Sequence, residues 1–189
     1  MFMERSLVQA LAPGFGVGAG ATYQGRHFGI SGGYFTDAID EEDNVQAKKG
    51  DGVSARAIWR PIDGNGRVLH FGFGLDRREF GAGDVRRIST GPEANLAPTV
   101  VTTGNVANMD VSNSYNAEAA WSAGPVLVQG QYVTSDLERT IGRDLTVDGY
   151  YLQVGWVLTG ERYRYGDSAG VFTGPRPKGK WGAVELAAR

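Results

Sequence analysis

The sequence has no cysteine, only two histidines and three methionines among 189 residues. Without cysteine there is no disulfide scaffold, no thiolate metal site and no thiol nucleophile. Charge of one sign is also missing. Lys and Arg number 19 against 21 Asp and Glu, a formal net charge of -2, so there is no basic field of the kind that holds nucleic acid. Long apolar runs are absent. The longest uncharged stretch, 6–25, contains Pro13 and then Gly14, Gly16, Gly18 and Gly20. Each glycine costs a helix about 1 kcal/mol, so this is not a membrane helix. Met1–Arg5 lacks the basic and apolar regions of a secretory signal. Catalytic patterns are missing too. His27 and His70 sit on different segments without an HExxH, and no GxSxG, P-loop or EF-hand pattern occurs. The Gly-rich run 14–20 leads into a strand pattern, so no helix N-terminus follows it to hold phosphate. The expectation is a protein that is not an enzyme and carries no cofactor or metal.

What is there is glycine, aromatics and a period of two. Glycine numbers 29, roughly twice the usual share, and has no collagen repeat. Phe15, Val17, Ala19, Ala21 and Tyr23 alternate with glycine and threonine. Phe28, Ile30 and Tyr34 share a face. Val53, Ala55, Ala57 and Trp59 alternate with Ser54, Arg56, Ile58 and Arg60. Leu69, Phe71, Phe73 and Leu75 alternate with His70, Gly72, Gly74 and Asp76. The pattern returns at 115–122, 126–133, 150–158 and 184–187. It predicts about eight strands of roughly ten residues, mostly joined as hairpins. Asp63-Gly64 and Asn65-Gly66 mark a turn at 61–66. Short turns at 24–26, 61–66 and 123–125 alternate with longer loops at 37–51, 80–110 and 136–147. The stretch 160–180 is long where a short turn is due, and a further strand around 98–103 would restore the parity.

Two environments produce such alternation. A soluble sandwich buries one face of each strand, whereas a transmembrane barrel puts one face on lipid and the other on a wet lumen. The strand length suits a tilted span. Aromatics end the apolar faces at Tyr23, Tyr34, Trp59, Tyr115, Trp121, Tyr132 and Tyr150, where interfacial girdles belong. Short turns on one side and long loops on the other are a barrel habit. The barrel is therefore the leading fold. The polar face, with Arg56, Arg60, His70, Asp76, Asn116, Glu118, Gln129, Gln131, Gln153 and Glu185, is the candidate pore wall.

Specific stretches carry a resemblance. Phe2-Met3-Glu4-Arg5-Ser6-Leu7-Val8-Gln9-Ala10-Leu11-Ala12-Pro13-Gly14 resembles the constriction-loop segment of the phosphate-selective porin O/P family. Gly149–Gln153, Leu158-Thr159-Gly160-Glu161-Arg162-Tyr163-Arg164-Tyr165 and Trp181–Arg189 resemble its later strands, and Ala55–Pro61 a strand end. The resemblance implies an all-β, antiparallel transmembrane barrel fragment, with about eight meander strands of a porin of roughly 16 strands. It implies that residues 1–13 belong to an inward-folded constriction loop and 14–189 to consecutive barrel hairpins, incomplete at both ends, about half of such a barrel. It implies passive diffusion of small anions such as phosphate or pyrophosphate through an arginine-lined constriction in the bacterial outer membrane. The implied partners are outer-membrane lipid and lipopolysaccharide, small anions, and a homotrimer when full-length, with no nucleic acid.

The anion-path residues expected on this basis are Arg5, Ser6, Arg56 and Arg60. Arginine suits oxyanions because its planar fork donates two hydrogen bonds and keeps its charge. Arg5 is placed there by the resemblance, and an ion pair that holds the loop would use it as well. Arg56 and Arg60 share one strand face about 13 Å apart, a ladder spacing that equally suits a wall salt bridge with Glu118 or Asp76. Arg77, Arg78, Arg86 and Arg87 read as solvated loop charges near lipopolysaccharide. Arg162, Arg164, Arg176, Lys178 and Lys180 read as an external or lumen-folded loop. Two other functions stay open at this point: a small closed outer-membrane barrel with a structural or adhesive role, and a soluble carbohydrate-binding β-sandwich.

Overall fold

The computed structural model describes residues 7–12, 16–36, 50–91, 99, 101–167 and 169–189. Strands β1 (Val17–Gln24), β2 (Phe28–Thr36), β3 (Asp51–Gly64), β4 (Arg67–Glu79), β7 (Met109–Ala123), β8 (Val126–Arg139), β9 (Leu145–Val157) and β12 (Glu185–Ala188) form one antiparallel sheet. Their order is β1-β2-β3-β4-β7-β8-β9-β12. This is the all-β meander that the alternation predicts. Two small hairpins, β5 (Val85–Thr90) with β6 (Val101–Ala107) and β10 (Arg164–Gly166) with β11 (Val171–Thr173), pair outside it. A 3-10 helix covers Leu7–Leu11.

Register sorts the side chains into two faces. Trp59 pairs with Phe28 and Phe71, Trp121 with Leu69 and Val128, and Tyr132 with Tyr150. All lie on the outward face and all but Leu69 and Val128 are exposed. Tryptophan and phenylalanine gather toward the short-turn end, tyrosine (Tyr34, Tyr115, Tyr132, Tyr150) toward the other, with Ala, Val, Leu and Gly between. An exposed apolar band between aromatic girdles is what a lipid-facing barrel wall requires. The inner face carries Arg56, Arg60, His70, Asp76, Arg78, Glu118, Gln129, Gln131 and Gln153.

The wall strands β3, β4, β7, β8 and β9 run 13–15 residues, longer than the ten that the apolar pattern gives. The extra length lies beyond the apolar band, where outward positions turn polar at Arg77, Glu79, Asn113, Asp136 and Glu138. At the other end, β3 continues past Pro61 to Gly64. The register slips between Trp59 and Ile62, a bulge that removes the need for an N–H at the proline. The turn itself is only Asn65-Gly66, with φ of 53° and 70°, the left-handed pair of a type I′ hairpin.

The segment 80–110 does not add the single wall strand expected, so the long 160–180 stretch stays at the short-turn end. It holds a complete hairpin, β5–β6, and β4 pairs directly with β7. The 160–180 stretch likewise holds the β10–β11 hairpin. Both hairpins lie on the inner face. Near the long-loop end, Val8 and Leu11 pack with Ile88, Val106, Met109, Val133 and Leu137. Near the short-turn end, Tyr163, Phe172 and Ala183 pack on Leu127 and Val157. Gly149 leaves room for the first insert, since a Cβ there would meet Val8 at 3.3 Å and Leu11 at 3.5 Å.

Candidate functional site

The candidate site is the inner wall of β3, β4, β7, β8 and β9 with the β10–β11 hairpin laid on it. Period two puts Arg56 and Arg60 on the same side of β3, and register brings Gly74 opposite Arg56 and Glu118 opposite Gly72. The glycines leave space for long side chains to reach across. Arg56 Nε donates to Glu118 Oε1 at 2.8 Å, and its Nη2 donates to the same oxygen. Its Nη1 donates to the Ala169 carbonyl at 3.1 Å and its Nη2 to the Gly170 carbonyl at 3.0 Å. His70 Nε2 lies 3.4 Å from Glu118 Oε1, and its Nδ1 lies 2.7 Å from the Tyr165 hydroxyl.

Arg60 is almost wholly buried. It ion-pairs with Asp167 in the hairpin and with Asp63 at 3.2 Å. It also donates to the Gly25 carbonyl at 2.9 Å. Its guanidinium lies 4.7 Å from the centre of the Tyr165 ring, a cation–π contact. Burial pushes the Tyr165 phenol up to about 12, against the opposing pull of the Arg60 and Arg56 charges. Burial, followed by the Glu185 carboxylate that accepts its hydrogen bond at 2.5 Å, pushes Tyr163 up as well. Gly170 allows the hairpin to seat, since its φ is +62° and a Cβ there would lie 2.7 Å from Ile58 Cδ1.

The sequence-predicted residues thus divide. Arg56 and Arg60 come together on one wall beneath the hairpin, 27% and 2% exposed in their side chains. Arg5 and Ser6 lie outside the described residues. Arg56 makes the Glu118 bridge that the spacing offered as its alternative use. Arg77 and Arg87 are exposed, but Arg78 and Arg86 are buried, not solvated. Arg78 binds Asp76 at 2.9 Å and Ser54 at 2.9 Å, and Ser54 donates to Asp76 at 2.5 Å. Arg86 donates to Ser112 at 3.3 Å, and burial lowers its affinity for the proton. Asp167 and Gly170 carry no sequence signal beyond the excess length of their loop, and Tyr165 has only its place at the end of the family-like stretch 158–165. Among the described residues no cluster of His, Asp or Glu has metal-site geometry.

A cavity of about 220 Å³ opens between the hairpin and the wall, lined by Arg56, Glu118, Gln129, Gln131, Tyr151 and Phe172 among others. The arrangement offers fixed hydrogen-bond donors and compensated charge along a wet wall.

The family model for the phosphate-selective porins O and P matches residues 1–189. Porin O of Pseudomonas aeruginosa is 26% identical over 170 residues, which is 80% of this chain and 38% of that protein, so the chain spans less than half the length of that curated relative. With a lipid-facing meander and a polar inner wall already in place, the match over the whole sequence settles membership: the chain belongs to the phosphate-selective porin O and P family, proteins of the bacterial outer membrane.

Proposed function

We propose that the protein is a passive porin, a channel and not an enzyme, that lets small anions such as phosphate or pyrophosphate diffuse through an arginine-lined constriction. The observation that carries this reading is the two-faced meander of a porin-family chain: aromatic girdles outside, and a wall bearing Arg56, Arg60 and Arg78 inside. The anion path is assigned to Arg5, Ser6, Arg56 and Arg60. Arg56 is the more open of the two wall arginines and faces the cavity. Arg60 acts on the path through its charge and by holding the hairpin. Residues 1–13 contribute to the inward-folded constriction loop, and the described part of that segment supports this by packing Val8 and Leu11 on the inner wall. The working assembly is a homotrimer within outer-membrane lipid, with lipopolysaccharide at the long-loop rim beside Arg77 and Arg87.

The test is phosphate block of chloride current through the refolded protein in a planar bilayer. Arg5→Ala and Arg56→Ala should each raise the phosphate concentration for half-block several-fold, the scale of one lost charge-assisted hydrogen bond. Block unchanged in both variants overturns the assignment.

A further inference from the structure

The outward face of the wall is not evenly filled. One register row across four strands reads Phe71, Ala119, Gly130 and Leu152, which is two large side chains with a methyl and a bare backbone between them. Ala117 extends this floor toward the long loops. The result is a hollow of about 630 Å³ in the lipid-facing band, lined almost wholly by apolar groups. Trp121 and Tyr132, one from each girdle, close its ends. Small side chains alone specify no occupant. The charge around the hollow does.

The two rims beyond it differ in sign. Toward the long loops, the outward positions of β8 and β9 carry Asp136, Glu138 and Asp148. Toward the short turns, the outward strand positions beside the hollow hold no carboxylate among the described residues, and two arginines stand there. Arg67 is exposed and shares the face of Leu69 and Phe71 on β4. Arg162 is exposed too, and its guanidinium lies against Gly66, where a Cβ would be 2.5 Å from Nη1. Neither side chain makes an ion pair or hydrogen bond with another described residue. The nearby carboxylates are committed elsewhere. Asp63 pairs with Arg60 at 3.2 Å. Glu161 is buried and accepts from the Thr159 hydroxyl and the Lys178 amide.

We infer that the hollow seats an acyl chain of an anionic glycerophospholipid from the short-turn leaflet, with the phosphate held between Arg67 and Arg162. Short turns face the periplasm in outer-membrane barrels, so this is the periplasmic leaflet. Arg67 lies four residues from Phe71 along β4, about 13 Å. That is room for the glycerol and the first methylenes before the chain reaches the floor. Two whole guanidinium forks face the head group, neither committed to a described partner. The chain gains dispersion contacts with the floor and sides of the hollow. In a bilayer it already has apolar neighbours, so the head group sets the preference and the hollow sets the place. The inference rests on membership of an outer-membrane family and stands whether or not the pore selects anions.

Native mass spectrometry of the refolded protein, released from micelles titrated with dioleoyl phosphatidylglycerol or dioleoyl phosphatidylcholine, reads the affinity for each lipid. Phosphatidylglycerol should bind about tenfold more tightly, the effect of one or two arginines at a head group. Arg67→Gln with Arg162→Gln should bring the two lipids to within about twofold, with phosphatidylcholine binding and the ion current unchanged. Ala117→Leu with Ala119→Leu fills the hollow from the lipid side and should weaken both lipids several-fold with their ratio kept. An unchanged ion current shows that this variant folds. Equal affinity for the two lipids in the unaltered protein, a preference that survives the arginine changes, or binding that survives the filled hollow overturns the inference. So does a filled hollow that splits the oligomer and leaves lipid bound, which gives the hollow to a second copy of the chain.

Discussion

Among the described residues two inserts cover the inner wall; both have an apolar footing, but polar contacts weigh far more in the second. Near the long-loop end, the Leu7–Leu11 turn and the β5–β6 hairpin rest on an apolar cluster in which Leu137 and Met109 are 0% and 1% exposed. Near the short-turn end, the β10–β11 hairpin rests on Arg56, Arg60 and His70 through ion pairs and hydrogen bonds. Apolar packing has no charge for salt to screen and no proton to titrate. Ion pairs at a wet wall weaken with both. The first insert is therefore a fixed part of the wall, and the second is the one that solution conditions can shift.

The largest expected effect tests the apolar side. Leu137→Ala removes a fully buried side chain and should cost about 2–5 kcal/mol. A lowered thermal midpoint in detergent, equal at low and high salt, is the expected result. Arg60→Met tests the other side. Its carboxylate partners Asp63 and Asp167 are 28% and 75% exposed, so they rehydrate and the loss should be about 1–2 kcal/mol. It should appear as faster proteolysis within 164–173 and a higher conductance, with the thermal midpoint of the wall little changed.

Much of this contrast lay outside the reach of the sequence. The wall was legible because eight segments repeat one alternation against lipid. The Arg56–Glu118 bridge was legible because both sit at inward positions. The inserts were not, since β10 and β11 are three residues each, too short to show a period, and their placement depends on partners such as Arg56 to Gly170, 114 positions apart. Arg78 was within reach: it lies two residues after Asp76, so the alternation that turns Asp76 inward turns Arg78 inward too.

Smaller effects sharpen the comparison. Gly170→Ala places a Cβ against Ile58 at a φ of +62°, which should cost about 1 kcal/mol and loosen the lower hairpin alone. Alkali should act in the same place. The folded-state pKa of Tyr165 is raised from 10.0 to about 12. Its neutral form is the one the fold favours, so the stabilisation is complete below pH 10 and is lost as pH rises to about 12. Conductance should rise reversibly across that interval, and Tyr165→Phe should flatten the rise.

The central claim is that the polar, arginine-bearing face conducts and selects. It is tested most directly by the reversal potential of the refolded protein across a planar bilayer under a potassium chloride gradient. The account predicts a sign that favours chloride over potassium, reduced in magnitude by Arg56→Ala. A reversal potential near zero, or one that favours potassium, would contradict it.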